Sequence, residues 1–190
     1  MENDIVSEKL ELLRKKDEQA FNEFSGAFET GSCHKGEILV PMYKTCDRLY
    51  IVQSGIAKQF RHKEDGSEYI TWFSFKGDLL VAFASFVTQE PSKEAIKIIE
   101  DCEYISISRK MCYELASKYH AVETFFRELL EIYYIQSDER LFFLQSFTAK
   151  QKYNHILKEM PHFLQRLPQK ELSSFLGIKR ETLSRIRKYS

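Results

Sequence analysis

Apolar positions change their period twice along this chain, from helical to alternating and back to helical. Ile5, Leu10, Leu13, Phe21 and Phe24 recur among charged residues across 4–25, which predicts one or two short amphipathic helices. From Gly31 to about Ser108 the pattern becomes short segments rich in β-branched and aromatic side chains, separated by Gly or polar clusters. Strands are expected near Glu37–Val40, Arg48–Ser54, Gly55–His62, Glu68–Phe75, Glu94–Glu100 and Cys102–Ser108. Gly36, Gly55, Gly66 and Gly77 fall near the turns, and Asp65-Gly66 between two alternating runs is a hairpin signal. Many short antiparallel strands imply a barrel or roll. No low-complexity stretch or solenoid period interrupts them.

Arg109 opens the second helical region. Met111, Leu115 and Tyr119 predict a short helix, and a long one is expected over about 121–145. In it Val122, Phe126, Leu129, Tyr133, Gln136, Arg140 and Phe143 step by four and three, a seam of coiled-coil type interrupted by Gln136 and Arg140. Phe125, Leu130, Ile132 and Leu144 widen the apolar surface, so the helix needs two partners. The roll would be one, and the same helix of a second chain the other. A helix buried wholly in its own domain fits the periodicity equally well. Thr148 can cap a further helix running to about Glu159, and Pro161 and Pro168 punctuate the stretch beyond it.

Leu167 to Lys188 reads as a helix-turn-helix. Pro168 suits a first helical turn, Leu172 and Leu176 share a face, and Ser173 is small where two crossing helices approach. Gly177 tolerates the positive φ of a sharp turn. The second helix then turns Ile178, Leu183 and Ile186 inward. Lys179, Arg180, Glu181, Ser184, Arg185, Arg187 and Lys188 point outward. Arg pairs bidentately with guanine and Glu accepts from the cytosine amino group, which suits a recognition helix. A basic, solvated terminal helix whose cations complement its dipole is the plain alternative.

Charge changes the picture. The formal net charge is zero, which alone argues against nucleic acid. Residues 148–190, however, hold ten Lys and Arg against three Asp and Glu, a net of +7, which leaves −7 for 1–147. A basic end on an acidic body is the asymmetry expected when one module meets phosphate. The 190 residues, 43% hydrophobic and 29% charged, suit one large domain or two small ones with a buried core. No apolar run reaches the length of a membrane span, and the polar Met1–Lys9 lacks the regions of a signal peptide. A cytoplasmic protein with no membrane partner is the expectation. Cys33, Cys46, Cys102 and Cys112 lack CxxC spacing and are expected as free thiols. His34, His62, His120, His155 and His162 contain no His-x-His pair, which disfavours a metal-dependent small-barrel enzyme. Neither a metal nor a catalytic site is expected, since no nucleophile elbow or phosphate loop is present.

Two stretches resemble the Crp/Fnr (cyclic-nucleotide receptor/anaerobic regulator) family of bacterial transcription regulators. The first runs Lys35-Gly36-Glu37-Ile38-Leu39, Leu49-Tyr50-Ile51-Val52-Gln53-Ser54-Gly55, Asp65-Gly66 and Gly77-Asp78, and is similar to the turns of the family's effector roll. The second is Ile178 to Lys188, similar to the family's recognition helix. The resemblance implies an α+β fold. Its parts would be an N-terminal antiparallel β-roll of cyclic-nucleotide-binding type over 1–120 (a double-stranded β-helix with flanking helices), a long dimerisation helix over 121–146, and a helix-turn-helix over 147–190. It implies that Arg180, Glu181 and Arg185 read base edges, while Lys179, Thr182, Ser184, Arg187 and Lys188 contact phosphates. The implied partners are double-stranded DNA and a second copy of the chain, with RNA polymerase a further candidate.

The departures lie in the roll. Family members that bind cyclic nucleotides carry a Gly-Glu pair and then an Arg-Ser/Thr-Ala; here Leu80-Val81-Ala82-Phe83 and Lys93-Glu94-Ala95 stand in those places. Lys lacks the planar fork that clamps phosphate, and a neighbouring carboxylate repels an anion. A pocket formed by Leu80, Ala82, Phe83, Phe86 and Lys93 would be largely apolar. Cyclic AMP is therefore not the expected effector, and no cofactor is assigned. The N-terminal cysteine cluster of the oxygen-sensing branch is also missing. The alternative function is a ligand-sensing or protein-interaction roll with vestigial DNA binding.

Overall fold

The computed structural model describes residues 5–189; Met1–Asp4, part of the polar start, and Ser190 lie outside the described residues. The chain opens with helices α1 (Ile5–Lys16) and α2 (Glu18–Gly26). Strands β1 (Glu29–Cys33), β2 (Ile38–Val40), β3 (Arg48–His62), β4 (Glu68–Ser74) and β5 (Leu79–Leu80) come next. Helix α3 (Phe83–Thr88) separates them from β6 (Ala95–Ser108). The rest is helical: α4 (Arg109–Lys118), α5 (His120–Ser146), α6 (Ala149–Glu159), α7 (Pro161–Arg166), α8 (Gln169–Leu176) and α9 (Arg180–Lys188).

The sheet order is β1-β6-β3-β4, with β2 added to β6 and β5 added to β3. β3 and β6 pair antiparallel from Arg48 opposite Ser108 to Phe60 opposite Ala95. Each expected pair of strands on either side of Gly55 and around Asp101 is thus one long strand. Gly55 is not a turn. Its φ is +86°, the ladder shifts register between Val52 and Ala57, and a Cβ there would collide with the Asp101 carbonyl. The glycine lets two backbones approach at a bulge, which bends the ladder without ending it. Asp65-Gly66 does turn the chain between β3 and β4: Gly66 has φ +77°, and the Asp65 carboxylate accepts from the Ser67 amide at 2.8 Å. β1, β5 and α3 fall outside the expected elements. β1 carries Gly31 and Ser32 where a strand pattern needs bulk, and Gly31 is required because the Tyr104 ring occupies the space above it.

Helices α2, α4 and α6 each start at a side-chain cap. Asp17 accepts from the Ala20 amide at 2.9 Å and Ser108 from the Met111 amide at 3.2 Å. Thr148 forms a reciprocal capping box with Gln151, as its position promised. α4 buries Leu115 and Cys112 while Met111 stays exposed. Tyr119 ends α4 and donates its hydroxyl to Glu23 at 2.6 Å. Lys118 and this phenol hold the Glu23 carboxyl below its ordinary range.

By their contacts the residues divide into two units. One comprises the chain up to Arg61 together with Trp72–Glu131; the other comprises His62–Thr71 together with the chain from Ile132 on. The first unit is centred on Val52, Ile56, Leu80, Ile96, Ile98 and Ile107, all essentially inaccessible. In it the Phe24 ring meets Phe28, Phe125 and Phe126 edge-on at 5.1–5.5 Å, and Lys9 pairs with Glu128 at 2.9 Å. The second unit is centred on Ile70, Ile156, Leu172, Leu176 and Leu183.

Replacing Gly55 by Ala should destabilise the first unit by about 1–3 kcal/mol from the left-handed backbone alone, and by more once the Asp101 clash is added. Urea unfolding monitored through Trp72 fluorescence measures it.

Candidate nucleic-acid interface

Two helices, α8 and α9, joined by a turn at Gly177, stand in the stretch read as a helix-turn-helix, with small shifts of boundary. Pro168 stands one residue before α8, as its N-cap, rather than inside the first turn. Gly177 closes α8 in the left-handed conformation with φ 64°, and the Ile178 amide donates to the Ser173 carbonyl at 3.1 Å. That second hydrogen bond completes a Schellman-type stop, which only a residue tolerant of positive φ permits cheaply. Ser173 is buried and its hydroxyl donates to the Lys170 carbonyl at 2.9 Å, so its polarity is satisfied at the helix crossing. Leu183 of α9 is fully buried, with Ile178 and Ile186 half-buried beside it. α6 packs against both α8 and α9.

Burial of that apolar side leaves the charged side of α9 in solvent. Arg180, Glu181, Ser184, Arg185 and Lys188 lie at i, i+1, i+4, i+5 and i+8, all exposed; Lys179 and Arg187 are exposed as well. Thr182 is half-buried, so it has the least reach of the eight. Among the described residues none of the five cations in this set is ion-paired within the chain. Their donors are free to meet an outside acceptor. Nine residues make a rod about 13 Å long, a length the major groove accommodates.

One residue beneath this module has a role that its sequence position did not announce. Arg140 of α5 donates Nε to the Thr71 carbonyl at 3.1 Å and Nη2 to the Phe175 carbonyl at 2.9 Å. Its guanidinium lies 3.6 Å from the Phe175 ring centroid. Ser174 adds two bonds to the same hairpin tip, donating to the Glu68 carbonyl at 2.9 Å and accepting from the Ile70 amide at 3.2 Å. Burial pushes Arg140 down to about 10. Lys152 is lowered too, first by burial and then by Arg140, and it lies 5.9 Å from the Phe143 ring. The signal was present: Arg140 and Gln136 interrupt an apolar seam, and a cation at such a place must find carbonyls or a ring.

Val122, Leu129 and Phe143 are buried within the chain and Phe126, Tyr133, Gln136 and Arg140 are half-buried, so this side of α5 is not the free one. The exposed apolar positions are Leu130 (47%), Tyr134 (75%) and Leu141 (53%), at i, i+4 and i+11, with Ile135 and Phe142 flanking.

The effector-pocket residues divide. Leu80, Ala82 and Phe86 are buried, whereas Phe83 is half-open to solvent and Lys93 is exposed. Phe83 starts α3. The Phe86 carbonyl accepts from Arg109 Nε at 2.7 Å, the Val81 carbonyl accepts from Gln59 at 3.1 Å, and Glu94 pairs with Arg61 at 3.8 Å. A cleft of about 400 Å³ in this unit lies elsewhere, lined by Lys9, Leu13, Lys16, Thr124 and Phe125 among others. No cluster of His, Cys, Asp and Glu able to hold a metal occurs among the described residues, and no helix among them is long and apolar enough to cross a membrane.

Residues 31–119 match the family model of the cyclic nucleotide-binding domain. No curated protein matches the chain in sequence. Solved structures do in fold. FixK2 from Bradyrhizobium japonicum is 19% identical with a TM-score of 0.74, over 85% of this chain and 83% of its own. The c-di-GMP-responsive global regulator CLP from Xanthomonas campestris is 16% identical with a TM-score of 0.71, over 91% of each chain. A protein described as a transcriptional regulator of the Crp/Fnr family from Eubacterium rectale is 17% identical with a TM-score of 0.71, over 91% of this chain and 82% of its own. The α+β fold expected from the sequence is therefore the fold of Crp/Fnr regulators, built on a roll of cyclic nucleotide-binding type.

Replacing Arg140 by Ala should remove its two hydrogen bonds to the Thr71 and Phe175 carbonyls. Each lost charge-assisted bond is worth about 1.5–3 kcal/mol before the relief of desolvation is subtracted. Amides of residues 68–71 should exchange with solvent faster, by hydrogen exchange, while those of the β3–β6 ladder stay unchanged.

Proposed function

We propose that this chain, with its Crp/Fnr fold, is a non-catalytic, homodimeric regulator that reads an inverted-repeat operator in double-stranded DNA. The observation that carries the reading is the exposed, unpaired cationic face of α9, backed by buried Leu183 and turned out at Gly177. Arg180 and Arg185 would address guanine edges and Glu181 a cytosine amino group. Lys179, Ser184, Arg187 and Lys188, with Thr182 at the margin, would neutralise phosphates and set the register. The −7 of residues 1–147 keeps the body of the protein off the duplex.

A two-fold operator requires two heads about 34 Å apart. Leu130, Tyr134 and Leu141 on the solvent side of α5 supply the heptad-like spacing through which a second copy would pair. RNA polymerase is a further candidate partner once the dimer is on DNA. The effector is not assigned. The buried Leu80, Ala82 and Phe86 and the outward Lys93 favour something other than cyclic AMP, because neither a ribose acceptor nor a planar cation stands at the expected places.

In binding-site selection and titration, Arg180→Ala or Arg185→Ala should cost about 1–3 kcal/mol and relax preference at one base pair per half-site. Lys188→Ala should weaken all sequences alike and reduce the salt slope by about one. If Arg185→Ala leaves both affinity and sequence preference untouched, α9 does not read bases. If wild-type protein binds no duplex even at low salt, the roll with vestigial DNA binding is the better reading.

Combining Tyr134→Glu with Leu141→Glu should convert the dimer to a folded monomer, seen by light scattering with an unchanged circular dichroism spectrum. A wild-type protein that is monomeric at micromolar concentration refutes the pairing.

A further inference from the structure

Four thiols are free in this chain, and two of them oppose each other. Cys33, the last residue of β1, is the direct register partner of Cys102 in β6. Directly opposed residues of an antiparallel pair project from the same face of the sheet. Their Cα atoms stand about 4.5 or 5.5 Å apart according to the pair type. Both values lie inside the roughly 4.4–6.8 Å window of a disulfide. Cβ atoms of such pairs lie about 4.5–5.5 Å apart, against about 3.5–4.5 Å when bridged. Closure therefore takes an approach of about 1 Å. β1 is an edge strand, bonded in the sheet to β6 alone, so it can make that approach without dragging another strand.

The two sulfurs also differ in access as a reactive pair should. Cys33 is half-buried, whereas Cys102 is 1% exposed behind it. Cys46 and Cys112 are buried and lie outside the strands, with no cysteine opposite either. Tyr104 shares the face of Cys102, lies over Gly31, and its phenol favours the Cys33 thiolate. Burial and the Glu37 carboxylate act the other way and push the Cys33 thiol up on balance, while burial pushes Cys102 up to about 11. Thiolate is the attacking species, so this pair exchanges slowly. It suits a response to sustained oxidation rather than to a brief pulse.

We propose that Cys33 and Cys102 form a reversible cross-strand disulfide, with small-molecule disulfides such as oxidised glutathione as the reacting class. The Cys33 thiol loses its proton and attacks one glutathione sulfur, releasing one reduced glutathione and leaving a mixed disulfide. Cys102 then loses its proton and attacks the Cys33 sulfur, releasing the second glutathione. Two protein thiols are oxidised and one glutathione disulfide is reduced to two thiols. The bond closes a loop of roughly 70 residues spanning most of the roll, which restricts the unfolded chain strongly.

The test uses the reduced, native full-length protein with oxidised glutathione over hours, then alkylation, digestion and mass spectrometry. A Cys33–Cys102 linked peptide should dominate, with Cys46 and Cys112 still reduced. The melting temperature should rise by several degrees and return on reduction. Cys102→Ser should stop at one glutathione on Cys33. If that variant does not fold, the wild-type peptide map decides alone. A wild-type protein that keeps glutathione on Cys33, remains fully reduced, or scrambles all four cysteines overturns the proposal.

Discussion

The antiparallel ladder between β3 and β6 is the constraint on which the rest of the sheet depends. Every other strand is fastened to one of these two: β1 and β2 to β6, β4 and β5 to β3. Two strands of this length cannot stay flat; right-handed twist accumulates along them, and the bulge at Gly55 adds a local bend. The bent ladder lets short strands add at both ends without colliding. Its inward residues, Val52, Ile56, Ile96, Ile98 and Ile107, are fully buried. Each contributes about 1.5–3 kcal/mol of transfer free energy. The roll exists because one pairing recruits several smaller ones.

Much of this is legible in the sequence, and the parts that are not share a cause. Helices announced by a cap and a period, such as α6 behind Thr148 and α8 before Gly177, stand within a residue or two of expectation. The apolar and charged sides of α9 fall where the sequence places them, because on a short amphipathic helix composition alone separates the faces. Gly55 reads as a turn in sequence because a positive φ serves a turn and a bulge alike; only the carbonyl of Asp101, far off along the chain, tells them apart. β1 is invisible there because its glycine answers to Tyr104 and not to its own neighbours. On α5 the expected apolar period is present, but a seam of threes and fours does not say which partner covers it; the burial of Val122, Leu129 and Phe143 does.

Polar interruptions carry more information than the apolar runs around them. Arg140 breaks the α5 seam because it holds two carbonyls and an aromatic ring, and burial depresses its basicity in doing so. The same logic governs the charge of the whole chain. A neutral total conceals a basic module and an acidic remainder, and the cations of α9 form no ion pair with carboxylates among the described residues.

The hairpin tip constrains heredity as much as mechanics. Residues 62–71 belong by their contacts with the chain beyond residue 132, although β3 and β4, which bear them, are strands of the roll. The backbone therefore passes between the units three times, and the second unit is assembled from two separate stretches of sequence. A single splice near residue 132 would carry away the helices but leave behind buried Ile70 and the carbonyls that Ser174 and Arg140 engage. Such a unit is not a cassette. Recombination that exchanges C-terminal helices between related proteins must bring a matching hairpin tip along, so the tip and the helices it meets are bound to vary together.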